Sequence, residues 1–147
     1  MTEITEDGIT ITRVFDAPRE LVFEARITPP HFGRWFGGPQ AEVPVETISM
    51  DVRPGGRWSA TMFAGPDRRE IQWKGEFVEV DPPSRLVLTM TDEATEGEAL
   101  TVTFADLDGK TEMVFHQGGG NLDREQYEQA KAGWMAFFDE LAAIVER

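Results

Sequence analysis

From Val45 to His116 apolar and polar side chains alternate, and from Arg124 onward the apolar residues return every three or four positions. The first pattern belongs to strands with one buried face, the second to an amphipathic helix. A chain carrying both, in that order, is expected to form an antiparallel sheet with one apolar side and to lay its last helix across that side.

The turns fix the registers. Asp108-Gly109 is a two-residue hairpin turn that sets Phe104 against Met113, Thr103 against Val114 and Val102 against Phe115. A loop at Asp81-Pro82-Pro83-Ser84 sets Phe77 against Leu88 and Gly75 against Met90. Looping between Ala64 and Arg69 sets Met62 against Ile71, Ala60 against Trp73, and Trp58 against Gly75, where the indole can lie over bare backbone. The three hairpins agree on one apolar face, and Ile48, Met50 and Val52 extend it into the preceding strand.

The covering helix carries Tyr127, Ala130, Trp134, Phe137, Phe138, Leu141, Ile144 and Val145 on one stripe. Asp123 is placed to cap it, with Gln126 three residues on and Leu122 and Tyr127 as a hydrophobic staple. Running from about Arg124 to Glu146, it is roughly 30 Å long and crosses a whole small domain. Ahead of the meander, Gly8–Phe15 reads as a first strand. Asp16-Ala17-Pro18 then opens a short helix through Ile27, with Asp16 as its cap. Thr28-Pro29-Pro30 opens a second short helix, whose Phe32, Trp35 and Phe36 share a face, and Gly37-Gly38-Pro39 ends it.

The fold class expected is therefore α+β, a curved antiparallel sheet of about seven strands in the order β-α-α-β6-α, gripping a long C-terminal helix. A chain of 147 residues suits a single domain spanning 1–147 and buries roughly two-thirds of its unfolded surface. Without cysteine it has no disulfide, thiolate metal site or thiol nucleophile. The stretch Met1–Asp7 does not resemble a signal peptide, and no run of about 20 apolar residues is present. These point to a cytoplasmic protein without membrane insertion. A formal net charge of −13 repels phosphate backbones, so nucleic acid is not expected as a partner, and the charge serves solubility first.

Residues able to do chemistry are few. His31 and His116 lack a metal-ligand spacing or a visible partner, and Ser49, Ser59 and Ser84 lie in no nucleophile elbow. Asp92, Glu93, Glu96 and Glu98 lack the glycine turn of a calcium loop and read as a solvated hairpin loop. Gly118-Gly119-Gly120 lacks the lysine of a phosphate cradle and reads as a flexible connection. Arg68 and Arg69 sit in a turn, where they are solvated or dock a carboxylate. No metal or cofactor is expected.

What stands out is the interior. Trp58, Met62, Trp73, Phe77, Leu88, Met90, Phe104, Met113 and Phe115 face Tyr127, Trp134, Phe137 and Phe138. Such a stripe either fills a core or walls a pocket. A lone helix over a curved sheet leaves a gap, and Ala60, Gly75, Ala130 and Gly133 supply no bulk to close it. The pocket expected is framed by Trp58, Trp73, Phe77 and Trp134.

Several strings carry a resemblance: Arg13-Val14-Phe15-Asp16-Ala17-Pro18, Arg34-Trp35-Phe36, Arg53-Pro54-Gly55-Gly56-Arg57-Trp58, Trp73-Lys74-Gly75, Glu79-Val80-Asp81-Pro82-Pro83-Ser84-Arg85-Leu86 and Gly133-Trp134. Together they span nearly the whole chain. It resembles bacterial homologues of the activator of the 90-kDa heat-shock protein ATPase, the AHSA-type branch of the START-like (SRPBCC) helix-grip superfamily. It departs from that pattern at Arg68-Arg69, where an Asp-Gly turn is common, and at the triple glycine. The resemblance implies the same order of elements and an interior that receives a small hydrophobic ligand such as a lipid or polyketide. It implies no shared catalytic set. The leading expectation is thus a binder of a small hydrophobic molecule, monomeric or homodimeric. One alternative is a cyclase- or hydrolase-like enzyme using Arg13, Glu79, His116 or Tyr127; the other is a chaperone-interacting module.

Overall fold

A computed structural model describes residues 2–5, 8–38, 41–91, 98–118 and 123–146. The strands are β1 (Thr2–Thr5), β2 (Gly8–Phe15), β3 (Ala41–Glu42), β4 (Ser49–Met50), β5 (Arg57–Ala64), β6 (Arg69–Asp81), β7 (Arg85–Met90), β8 (Glu98–Leu107) and β9 (Lys110–Gly118). The helices are α1 (Arg19–Ile27), α2 (Pro29–Trp35) and α3 (Arg124–Val145). One antiparallel sheet runs in the order β1-β2-β9-β8-β7-β6-β5-β3, with β4 also against β5. Among the described residues, no helix is long and apolar enough to cross a membrane.

The helix-grip order holds, with additions. An edge strand β1 pairs with β2, so the strand Gly8–Phe15 is second rather than first. The alternation read from Val45 begins later, because Val45–Thr47 makes a 3-10 turn after Pro44. Thr47 pins that turn to the sheet, its hydroxyl donating to the Pro44 carbonyl and accepting from the Thr61 N–H.

The hairpin registers follow the turns. The β8–β9 pairing has Phe104 opposite Met113 and Val102 opposite Phe115, with Asp108 and Gly109 both at positive φ, 52° and 90°. That is the backbone a two-residue turn needs to match strand twist. The β5–β6 pairing places Met62 opposite Ile71, Ala60 opposite Trp73 and Trp58 opposite Gly75. Between β6 and β7, Phe77 does oppose Leu88, but the loop is one residue shorter than read, since Asp81 pairs with Arg85. A bulge at Val78 absorbs the extra residue: inward positions run Ile71, Trp73, Gly75, Phe77 and then Val80, with Val78 and Glu79 both outward.

At α1 the expected cap is corrected. The chain stays extended through Pro18, which occupies the cap position, and Asp16 lies too far ahead to reach the first turn. Its backbone N–H donates to Glu146 Oε2 at 3.0 Å instead. At α3 the capping box is present: Gln126 N–H donates to Asp123 Oδ1 at 2.8 Å and Asp123 N–H to Gln126 Oε1 at 2.9 Å. The staple residue Leu122 lies outside the described residues. From α3, Tyr127, Trp134, Phe138, Leu141, Ala142 and Val145 are buried, and each large one contributes about 1.5–3 kcal/mol.

Candidate functional site

The short helix α2 decides where the interior is full and where it is open. Its Phe32, Trp35 and Phe36 are at most 2 % exposed. They wedge between α3 and β5, with ring centroids 6.0 Å apart for Phe32 and Trp58, 6.3 Å for Trp35 and Phe138, and 5.6 Å for Phe36 and Phe137. The Trp35 indole donates to the Ala25 carbonyl at 2.9 Å, locking the wedge to α1. That half of the helix–sheet gap is solid core. The void left beside Trp58, Phe77, Leu88 and Arg26 is about 10 Å³, too small for more than a single water.

The other half stays open. Between the N-terminal half of α3 and strands β6, β7, β8 and β9 lies a cleft of about 420 Å³. Phe36, Trp73, Trp134 and Phe137 form its aromatic wall, with centroids 6.0 Å apart for Phe36 and Trp73, 6.0 Å for Phe36 and Trp134, and 5.3 Å for Trp134 and Phe137. Ile71 and Met90 complete the apolar lining; Ala130 and Gly133 keep α3 from filling the space. A Cβ on Gly133 would meet only Phe137 Cζ, at 3.9 Å. Arg69, Gln126 and Gln129 supply polar lining.

A buried polar chain lines the same cleft. Trp134 Nε1 donates to Gln117 Oε1 at 2.6 Å, and Gln117 Nε2 donates to Glu98 Oε1 at 3.2 Å. Gln117 is 3 % exposed and Glu98 is fully buried. This corrects the reading of Glu98 as a solvated loop residue; Asp92, Glu93 and Glu96 lie outside the described residues. Alternation carried two positions further would have found both groups, because Phe104, Val102 and Leu100 lead inward to Glu98, and Met113 and Phe115 lead inward to Gln117. Trp73 Nε1 is also buried and has no hydrogen-bond partner among the described residues.

Of the residues expected to wall a pocket, Trp73, Met90, Trp134 and Phe137 line the cleft. Trp58, Met62, Phe77, Leu88, Phe104, Met113, Phe115, Tyr127 and Phe138 are buried core residues outside its lining. Gly75 is not open space: the Trp58 indole occupies it.

The residues weighed for catalysis are dispersed. Arg13 pairs with Asp139 at 2.6 Å, Glu79 with Arg85, and His116 Nδ1 with the Thr10 hydroxyl at 3.0 Å, while Tyr127 is buried. His31 Nδ1 is buried without a partner among the described residues, and Arg68 pairs with Glu42 at 2.9 Å and lies over Phe63. A second groove, about 440 Å³, lies around β5, β6 and β7 and is lined by Arg57, Lys74, Glu76 and several hydroxyls. The cleft under α3 carries the stronger case, because apolar walls with a few fixed polar groups are what small-molecule sites share.

A curved antiparallel sheet closed on a long C-terminal helix, with an aromatic cleft between them, defines a helix-grip domain. The chain belongs to the family described as Activator of Hsp90 ATPase homolog 1-like protein, which matches residues 16–146. Solved structures share the fold. A protein from Chromobacterium violaceum superposes with a TM-score of 0.88 at 23% identity, covering 97% of this chain and 99% of that one. The AHSA1-like protein from Aeromonas hydrophila gives 0.76 at 23% identity over 93% and 92%. CalU16 from Micromonospora echinospora gives 0.70 at 20% identity over 98% and 82%. No curated protein sequence matches the chain.

Proposed function

We propose that this protein binds a small hydrophobic molecule in the cleft between its sheet and the N-terminal half of α3. The observation that carries the proposal is the open volume of about 420 Å³ walled by Phe36, Trp73, Trp134 and Phe137. Elsewhere the same aromatic surface is packed shut, as the void of about 10 Å³ beside Phe77 attests. An unfilled cleft of this size costs cohesion, since its lining side chains lack contact atoms on one side. A guest with apolar surface returns those contacts, and Trp134, already fixed by Gln117, presents a rigid ring to it.

Native mass spectrometry of protein purified without detergent, together with thermal shift against hydrophobic compound libraries, tests the reading. A retained guest or a ligand-dependent rise in melting temperature is expected, because whatever binds only the folded state stabilises it. A bare protein whose melting temperature no compound moves would end it.

A further inference from the structure

We infer that Arg26 seats a buried anion, one small inorganic ion of about chloride's size held against its guanidinium in the void beside Phe77. Arg26 is 6 % exposed, and among the described residues no carboxylate pairs with it and no group accepts a hydrogen bond from it. Arginine is almost never buried this deeply unless paired, because an ionised group taken out of water without a counter-charge is costly. Its pKa, lowered by burial to about 10, still leaves it a cation at neutral pH. Phe32 and Trp35, with ring centroids 5.6 and 5.1 Å from the guanidinium carbon, attract the charge through their faces. Rings offer no lone pair, however, so the N–H groups along the edge of the guanidinium are left to some other acceptor.

The void supplies the place for one. Arg26 forms one wall, and the others are apolar: Phe32, Met50, Trp58, Phe77, Leu86 and Leu88. The Trp58 indole N–H is already given to the Thr89 carbonyl at 2.9 Å, so the guanidinium is the one lining side chain with donors to spare. No acid lines the space to repel an anion. Its volume of about 10 Å³ suits one water-sized particle. Chloride is only slightly larger, and half-buried Met50, with its flexible thioether chain, can yield the difference. A water there would solvate the cation and leave its charge unbalanced; a halide does both. The formal net charge of −13 repels anions at long range, an effect that moderate salt screens. The void shares no lining residue with the cleft under α3, so the anion and the guest proposed for that cleft stand or fall separately.

Replacing gluconate, which is too large for the void, by chloride at constant ionic strength is expected to raise the melting temperature of the full chain by roughly 2–4 °C and then saturate, since an ion that binds only the folded state stabilises it. Arg26→Met keeps an unbranched apolar stem and removes the guanidinium. It is expected to lose that chloride response while keeping any general salt effect common to both proteins. Bromide soaked into crystals of the parent is expected to give an anomalous-scattering peak beside the Arg26 guanidinium, a result that needs no variant to fold. A melting temperature indifferent to chloride, a response undiminished in Arg26→Met, or bromide peaks at the surface alone overturns the site and leaves water beside the arginine.

Discussion

The Trp58 indole lies across the backbone of Gly75 and donates from Nε1 to the Thr89 carbonyl at 2.9 Å, reaching from β5 over β6 to β7. A Cβ at Gly75 would stand 2.4 Å from Trp58 Nε1 and 1.9 Å from the Thr89 oxygen. With its carbonyl turned to the indole, Thr89 accepts the Glu76 N–H through its hydroxyl, at 2.9 Å. One ring thus replaces a rung of the β6–β7 ladder and closes the core at that end.

Gly75→Ala is therefore expected to destabilise the fold by about 3 kcal/mol, the upper range for overpacking, because backbone and a buried ring both stand in the way. Gly133→Ala is the contrast. It meets only Phe137 Cζ at 3.9 Å within a helix, and is expected to gain about 0.5–1 kcal/mol from helix propensity. Urea unfolding of both variants checks the pair; a harmless alanine at Gly75 would mean that the indole does not rest there.

How far the sequence could be read follows from these same residues. Trp58 opposite Gly75 was legible because turn position sets register and register sets which side chains meet. The bulge at Val78 was not, since nothing in Phe77-Val78-Glu79-Val80 distinguishes a bulged strand from a regular one. The overlong count of the neighbouring loop and the unseen bulge cancelled, so Phe77 still met Leu88. Packing of α2 was the larger gap. Its apolar face was evident, but only tertiary contact shows that Phe32, Trp35 and Phe36 fill half the space under α3 and confine the opening to the half bearing Ala130 and Gly133.

Filling the cleft from α3 should separate binding from folding. Gly133→Leu projects an apolar side chain into open lining, where no backbone opposes it. The variant is expected to melt at or above the parent temperature and to lose at least about 10-fold in affinity for any cleft ligand. Unaltered affinity, read by the titration used for the parent, would place the ligand elsewhere.

Gln117 holds two buried groups at once, so its removal should cost more than one hydrogen bond. Gln117→Leu leaves the Trp134 N–H and Glu98 without that partner in a site neither can leave. Each buried polar group deprived of its partner costs about 1–3 kcal/mol, and the expected total is about 2–5 kcal/mol. Tryptophan emission during urea unfolding gives both the stability and the environment of Trp134. A loss below about 1 kcal/mol would show that the chain of bonds is not held in solution.

Arg26 offers the pH test. It is 6 % exposed, and its guanidinium carbon lies 5.6 Å from the Phe32 ring centroid and 5.1 Å from that of Trp35. Among the described residues no carboxylate pairs with it. Burial lowers its pKa from the ordinary guanidinium range to about 10, a drop equivalent to roughly 3 kcal/mol against keeping the charged form folded. Stacking on the two rings offsets about 2 kcal/mol of an apolar replacement's advantage, so the buried charge is the larger effect. Arg26→Met is expected to be more stable than the parent near neutral pH by about 1 kcal/mol. The sign of the pH dependence follows from the lowered pKa. From about 10 up to the ordinary guanidinium range the unfolded chain binds the proton more tightly than the folded one, so the parent recovers stability there as pH rises. The advantage of Arg26→Met should be full at pH values below about 10 and shrink above it. Paired denaturation curves of parent and variant at pH 8 and pH 11 read the difference directly, with the other titrating groups common to both. A variant less stable than the parent at pH 8 would mean that the aromatic stack outweighs the desolvation of the charge.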